Sequence, residues 1–232
     1  MKGWMDMKAK TKLCLLFLII IPLFGCESIK THEVKAVDEF IVTIDAGHGG
    51  SGSTPGKRAY DGSFYEWEIN DRVATKVEEE LEKQGVTVLR VDDVTGKTDV
   101  PLEERLDKAI GYGTDLHISI HQNADCIVSE ATGMEVYYNS SSSERNIMFA
   151  TDLARRISDY VGTKNRGWKA SDGNLFITRE FYRAGIDVVL VEGLFMSNKD
   201  DVKTMATQQY ADDYGSAVAD SVLIIYRDEI NK

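Results

Sequence analysis

The sequence predicts a single α/β domain with a mostly parallel twisted sheet and helices on both faces. Short β-branched apolar segments alternate along the chain with amphipathic segments of helical period, the order that produces parallel strands joined by helices. Residues 188–191 are apolar without interruption, as in a central strand covered on both sides. A length of 232 residues and an apolar content of 43% suit one such domain with an appendage.

The individual elements follow from the same patterns. In the first half we predict strands at 40–45, 86–91 and 116–121 and helices at 65–84 and 102–110. In the second half we predict strands at 134–138, 175–178 and 188–191 and helices at 145–161, 198–205 and 208–228. Gly85 marks the end of the first helix, Pro101 lies in the first turn of the second, and Asn198 can cap the short one.

Residues 1–25 differ in character from the rest of the chain. Four lysines and one aspartate give them a net charge of +3, whereas the whole chain carries −11. An apolar run of twelve residues at 13–24 fits the core of a signal peptide and is short of the ~20 residues that span a bilayer. The run leads into Leu-Phe-Gly-Cys, which resembles a bacterial lipobox, although Phe24 stands where a small residue is usual. We therefore predict a lipoprotein signal peptide at 1–25 and a lipid on Cys26, with simple secretion or an uncleaved anchor as alternatives.

The rest of the chain divides into a tether and a domain. Residues 26–39 show no sustained period and are predicted to tether the domain, residues 40–232, to the membrane. Translation can start at Met1 or Met7. Cys126 would be the one thiol left beside the lipidated cysteine, so an intramolecular disulfide is excluded and we assign Cys126 no role. A pI near 4.9 argues against nucleic acid as a partner, because phosphate binding needs a basic face.

Three ionisable residues lie at the carboxyl ends of predicted parallel strands. His48 follows the first strand, His121 ends the third, and Glu192 ends the segment 188–191. Ligands of open α/β sheets bind beyond these strand ends, so we expect the three side chains to lie close together. A single histidine in such a place is more often structural, and the argument therefore depends on the whole group.

A fourth candidate, Glu66, lies at the start of the first predicted helix. The helical period aligns Glu66 with the apolar stripe that begins at Ile69 and directs Glu68 toward solvent. An inward carboxylate is costly unless it is paired or bound to a metal. From geometry alone, an interaction of Glu66 with the N-terminus of its own helix is an equally good explanation.

Two imidazoles and one carboxylate suit Zn²⁺ with a fourth position left open, the arrangement of hydrolytic zinc. A water on such a metal has its pKa lowered to about 7. Glu192, whose pKa should be raised by a buried position, could take the proton of that water and return it to a leaving amine. His117 lies on the same strand face as His121 but about 13 Å along the strand, so we interpret His117 as structural.

Several sequence blocks then point to a known family. In chain order they are Ile-Asp-Ala-Gly-His-Gly-Gly at 44–50, Glu66 with Asn70, Arg105, Ser-Ile-His-Gln-Asn-Ala at 119–124, and Val-Glu-Gly-Leu-Phe-Met-Ser-Asn at 191–198. With these blocks, residues 40–226 resemble the zinc-dependent N-acetylmuramoyl-L-alanine amidases of the amidase 3 family. The resemblance implies one zinc ion on His48, Glu66 and His121, with Glu192 as the catalytic glutamate, and it favours the metal-bound explanation of Glu66.

The resemblance also implies the reaction and its setting. The substrate would be peptidoglycan, cut at the amide between N-acetylmuramic acid and L-alanine. The predicted lipid on Cys26 would anchor the enzyme on the outer face of the bacterial cytoplasmic membrane. We expect Asn123 to contact the substrate and Arg105 to form a structural ion pair. Trp67 and Glu68 depart from the usual family residues, which affects substrate preference more than activity. A different zinc amidohydrolase or peptidase, and a non-catalytic wall-binding lipoprotein, remain as alternatives.

Overall fold

The described part of the chain, residues 39–50, 54–171 and 173–231 of a computed structural model, is built around one sheet. Its six strands are β1 (Ile41–Ala46), β2 (Thr87–Arg90), β3 (Leu116–Asn123), β4 (Met134–Asn139), β5 (Asn165–Ser171) and β6 (Asp187–Phe195). They lie in the order β2-β1-β3-β6-β4-β5, and every neighbouring pair is parallel except β4 and β6. The predicted α/β class with a mostly parallel sheet is confirmed.

Helices cover both faces of this sheet. They are α1 (Glu66–Lys83), α2 (Leu102–Tyr112), α3 (Glu144–Val161), α4 (Phe176–Arg183), α5 (Lys199–Met205), α6 (Gln208–Ile225) and α7 (Arg227–Ile230). The larger apolar core lies between the sheet and α1, α3 and α6, whereas a smaller one lies under α2 and α4. No helix in the described ranges is long and apolar enough to cross a membrane.

The alternation of side chains along the strands determines where the polar site lies. Ile118 and Ile120 of β3 belong to the larger core. Since successive side chains of a strand point to opposite faces, His117, Ser119 and His121 point to the face covered by α2 and α4. On β6 both faces are apolar, as predicted for residues 188–191, and Glu192 follows them on the same face as His121.

The structure differs from the predicted elements in three places. The strand predicted at 175–178 is wrong, because this segment begins α4, with Leu175 at its N-cap. A four-residue apolar run has no period long enough to separate strand from helix. The strand β5 was missed because it is an edge strand with a single buried residue and no apolar or β-branched run. The last long helix also ends at Ile225, three residues earlier than predicted.

The N-terminal predictions are outside the structural description. The signal peptide at 1–25, the lipidated Cys26 and all of the tether except its last residue lie outside the described residues. The cap of the short helix α5 is as predicted, since the Asn198 side chain accepts hydrogen bonds from the backbone N–H groups of Asp200 and Asp201.

Candidate metal centre

Three predicted ligands meet beyond the carboxyl ends of β1 and β3. His48 follows β1, Glu66 is the first residue of α1, and His121 lies near the end of β3. Their ligand atoms all lie within 4.8 Å of one another. Glu66 Oε2 is 3.2 Å from His48 Nε2, and Glu66 Oε1 is 3.1 Å from His121 Nδ1. Two imidazole nitrogens and a carboxylate oxygen that converge in this way match the donor set of hydrolytic zinc.

The side chain of Glu66 is held from several directions. It is buried, while Glu68, two residues along α1, is exposed, as the helical period predicts. Besides the two imidazoles, its oxygens accept hydrogen bonds from the backbone N–H groups of Gln122 (3.1 Å) and Lys57 (3.0 Å). These backbone donors come from other segments and not from the N-terminus of α1. The carboxylate is thus oriented by the loop before α1 and by β3.

Charge in the cluster is distributed between the carboxylate and the imidazoles. Burial would raise the pKa of Glu66, but the hydrogen bonds and positive charge of His121 and His48 hold it below its usual range. Burial likewise disfavours the charged form of His121, yet the adjacent Glu66 raises the pKa of that imidazole to about 9. The carboxylate of Glu66 is therefore stabilised by a positive charge beside it, which a bound cation can supply in place of the proton on His121.

His48 adopts an unusual backbone conformation. Its φ of 70° makes it the one non-glycine residue of the described ranges in the left-handed region, a conformation that costs about 1–3 kcal/mol. Arg105 fixes the loop: its guanidinium donates to the carbonyls of His48 (2.7 Å) and Ala46 (3.1 Å) and lies 3.2 Å from Asp45 Oδ2. The guanidinium is buried. Arg105 forms a structural ion pair with Asp45, as expected, and it also holds the backbone of His48, a predicted metal ligand.

Two glycines allow the ligands to approach the backbone closely. A Cβ at Gly47 would lie 2.1 Å from His121 Cε1, inside the imidazole ring's own volume. A Cβ at Gly56 would lie 2.6 Å from Glu66 Oε2, and Gly56 also has a φ of +80° that strains other residues. Glycine at both positions leaves the space that the imidazole and the carboxylate fill.

Glu192 lies beside the cluster on the next strand. In the register of the sheet it is the Cα partner of His121 on β3 and of Glu135 on β4. Burial, reinforced by the negative charges of Glu66 and Glu135 and opposed by His121, raises the pKa of Glu192 to about 8. A carboxyl group of this kind can exchange a proton near neutral pH, which is the property expected of a general base and acid.

Two cavities lie at the cluster and at the neighbouring Glu192. One, of about 390 Å³, is lined by His48, His121 and Arg105 together with apolar residues of α2 and α4. The other, of about 310 Å³, is lined by Glu192, Asn123 and polar residues of β4 and β5. The candidate metal centre therefore opens into a mostly apolar recess, and Glu192 beside it lines a polar one; each recess can hold part of an extended substrate.

The remaining predicted residues have distinct places. Asn123 borders the polar cavity, where its side chain donates to Glu135 Oε1 at 3.2 Å. His117 is fully buried, bonded through Nδ1 to Thr43 Oγ1 (3.0 Å) and stacked on Phe181. It lies outside the candidate metal cluster of the described residues, in agreement with a structural role. Cys126 is exposed and free.

Sequence reasoning missed Glu135 and the two cations that contact it. Glu135 is buried on β4, and its carboxylate accepts hydrogen bonds from Arg166 and Lys169 of β5. A single acidic residue within the predicted strand at 134–138 was the available signal. That signal alone does not indicate a site, because Glu135 lies beside Glu192 only through the pairing of β4 with β6.

Comparison with known proteins agrees with this geometry. The family model Amidase_3, described as N-acetylmuramoyl-L-alanine amidase, matches residues 42–223. Among curated relatives, an uncharacterized protein of Bacillus subtilis, YqiI, is 28% identical over 82% of this chain and 87% of its own length. The Bacillus subtilis N-acetylmuramoyl-L-alanine amidase LytC is 30% identical over 80% of this chain, a match that spans only 35% of LytC.

Solved structures give the same result. The N-acetylmuramoyl-L-alanine amidase of Clostridium difficile 630 superposes with a TM-score of 0.72 and 25% identity, covering 82% of this chain and 97% of that one. The catalytic domain of the amidase CwlV from Bacillus (Paenibacillus) polymyxa superposes with a TM-score of 0.71 and 26% identity, covering 82% and 98%. The family match extends over most of the chain and includes every element that carries a predicted ligand. The chain therefore belongs to the Amidase_3 family of N-acetylmuramoyl-L-alanine amidases.

Proposed function

We propose that the protein is a zinc-dependent peptidoglycan amidase that hydrolyses the amide between N-acetylmuramic acid and the L-alanine of the stem peptide. Family membership supports the bond and the substrate. The observation that supports a bound metal ion is the convergence of His48, Glu66 and His121, whose ligand atoms lie within 4.8 Å of one another. Nitrogen and oxygen donors of this kind suit zinc better than magnesium or calcium, which prefer oxygen alone.

The residues of the chain have separate roles in this proposal. Bound zinc would supply a water of lowered pKa and a Lewis acid for the amide carbonyl. His48, Glu66 and His121 hold the ion, and the backbone donors to Glu66 keep its carboxylate in one orientation. Glu192 takes up the proton of the attacking water and returns it to the leaving amine. Its raised pKa supports this role because the proton must be released as readily as it is accepted.

Digestion of purified peptidoglycan tests the proposal. We expect mass analysis to find free stem peptides with L-alanine at their N-terminus and glycan strands that have lost those peptides. One zinc per chain should be present, and a chelator should stop the release until zinc is restored. New reducing ends with intact amides, or cuts only within the peptide, would contradict the amidase and favour another hydrolase. Binding without any cleavage would favour a wall-binding protein.

We also propose that the enzyme works on the outer face of the cytoplasmic membrane. The apolar run before Cys26 and the absence of a sustained period in 26–39 support a lipid anchor and a tether ahead of the catalytic domain at 40–232. The lipid offers an attachment that charge does not, because a chain of net charge −11 is repelled by anionic headgroups. Replacing Cys26 by alanine should move the protein from the membrane fraction to the soluble fraction. An unchanged distribution would reject the lipid as the attachment and favour an uncleaved anchor.

A further inference from the structure

The polar cavity beside Glu192 is lined in part by Glu135 of β4, which binds two cations of β5. The side chain of Glu135 is only 5% exposed, and its carboxylate contacts both cations. Its Oε2 accepts hydrogen bonds from Arg166 Nε at 2.7 Å and from Lys169 Nζ at 2.6 Å. Two cations therefore meet one carboxylate, and the cluster carries a net charge of +1 in a chain whose own net charge is −11.

Both cations keep hydrogen-bonding capacity beyond Glu135. The ammonium group of Lys169 has three N–H donors, and the guanidinium of Arg166 has five. The Lys169 side chain is 41% exposed and that of Arg166 is 29% exposed, so both can be reached from solvent. Glu135, which lines the cavity, holds both head groups within 2.7 Å of its Oε2. The result is a pre-oriented pair of donors with unbalanced positive charge.

The cluster lies within reach of a substrate held at the metal. Glu192 and Glu135 are paired residues on adjacent strands, whose backbones are about 5 Å apart. Arg166 and Lys169 come from β5, the next strand outward. A peptide advances about 3.8 Å between successive Cα atoms, so one or two residues bridge the distance from the scissile amide to these cations. The cavity of about 310 Å³ is lined by both Glu192 and Glu135 and mostly by polar side chains.

Charge indicates which side of the substrate enters this cavity. In the glycan the lactyl carboxyl group of muramic acid is consumed by the scissile amide, and the sugar hydroxyls are neutral. A free carboxylate of the substrate therefore lies on its peptide side. A net positive pair of donors suits a carboxylate, for which charge-assisted hydrogen bonds are the strong ones.

We propose that this cavity receives the peptide side of the substrate and that Lys169 and Arg166 bind a free carboxylate on the residue that follows L-alanine. The inference rests on the proposed function, because only amidase chemistry brings the L-alanine amide to the cavity. The two cations are then specificity-determining residues. They favour peptides in which the residue after L-alanine carries a free carboxylate over peptides in which that group is a carboxamide.

The test compares two ligands that differ in one group. Binding of the γ-methylamides of L-Ala-D-Glu and of L-Ala-D-isoglutamine, which differ only in whether the α-carboxyl group is a free carboxylate or an amide, is measured by calorimetry with the zinc-loaded protein. The wild type is expected to bind the carboxylate form about tenfold more tightly, a difference of about 1.4 kcal/mol. In Lys169→Gln and in Arg166→Gln the preference should fall to about two- to threefold or less, because each variant removes one positive charge.

A control variant and an activity measurement complete the test. Lys164→Gln removes the same charge from an exposed position just before β5 and should leave the preference unchanged. The kcat/KM values for the γ-methylamides of MurNAc-L-Ala-D-Glu and MurNAc-L-Ala-D-isoglutamine should show the same ratio, with the change in Lys169→Gln mainly in KM. Equal binding of the two dipeptides by the wild type, or an unchanged preference in both folded variants, would overturn the inference. Loss of cleavage with the binding preference intact would instead count against the proposed function alone.

Discussion

Replacing Glu192 by glutamine is expected to lower kcat on peptidoglycan by about 10³-fold while zinc remains bound. General acid–base catalysis contributes roughly 10²- to 10⁴-fold, and an amide cannot take up the proton of the attacking water. Glutamine keeps the size of the side chain, and Glu192 belongs to β6, outside the cluster of possible ligands. Single-turnover kinetics together with the zinc content of the purified variant measure the two effects separately.

A matched control distinguishes a lost proton carrier from a general loss of charge. Glu130→Gln removes the same charge from an exposed residue in the segment between β3 and β4 and should leave kcat within about twofold of the wild type. Undiminished turnover by the Glu192 variant would reject our mechanism. Loss of zinc along with activity would show that Glu192 holds the ion and does not serve as the proton carrier.

Replacing Glu66 by glutamine is expected to reduce zinc affinity by more than about 100-fold, whereas the same change at Glu68 should leave it within about twofold. Changes in residues that only support a ligand already cost about 10- to 100-fold, and Glu66 is a proposed ligand itself. Both residues lie in the first turn of α1, but Glu66 is 3% exposed and faces the two histidines while Glu68 faces solvent. Titration against a chelator of known zinc affinity gives the two dissociation constants.

Thermal unfolding provides a second measurement of the same pair. A ligand that binds only the native state stabilises it in proportion to the logarithm of its concentration over its dissociation constant. Added zinc should therefore raise the Tm of the wild type and of Glu68→Gln, and raise that of Glu66→Gln much less. A zinc-dependent Tm in the Glu66 variant, with none in the Glu68 variant, would show that the ligand had been assigned to the wrong side of the helix.

The direction of Glu66 illustrates how much of the site follows from local pattern. A helix repeats every 3.6 residues, so the apolar stripe from Ile69 onward determines which of two neighbouring glutamates is buried. His48 and His121 follow the same logic, because parallel strands end at one edge of a sheet and the residues at their ends are brought together. Local sequence pattern is therefore enough to predict that His48, Glu66 and His121 lie together.

Other features of the site depend on contacts between distant segments. The pairing of β4 with β6 brings Glu135 beside Glu192, and the edge strand β5 adds Arg166 and Lys169. Arg105 reaches from α2 to the backbone of the loop that carries His48. Strand order and register are long-range properties, and no local period encodes them.

The amino-acid pattern alone was sufficient for the fold class, the helix face of Glu66 and the strand ends that carry His48, His121 and Glu192. These follow from backbone geometry, which repeats with the same period wherever a helix or a strand forms. The amino-acid pattern was insufficient at residues 175–178, which begin α4 and do not form a strand, and at the edge strand β5. There the outcome depends on which neighbouring elements bury the segment, and only the tertiary structure supplies those neighbours.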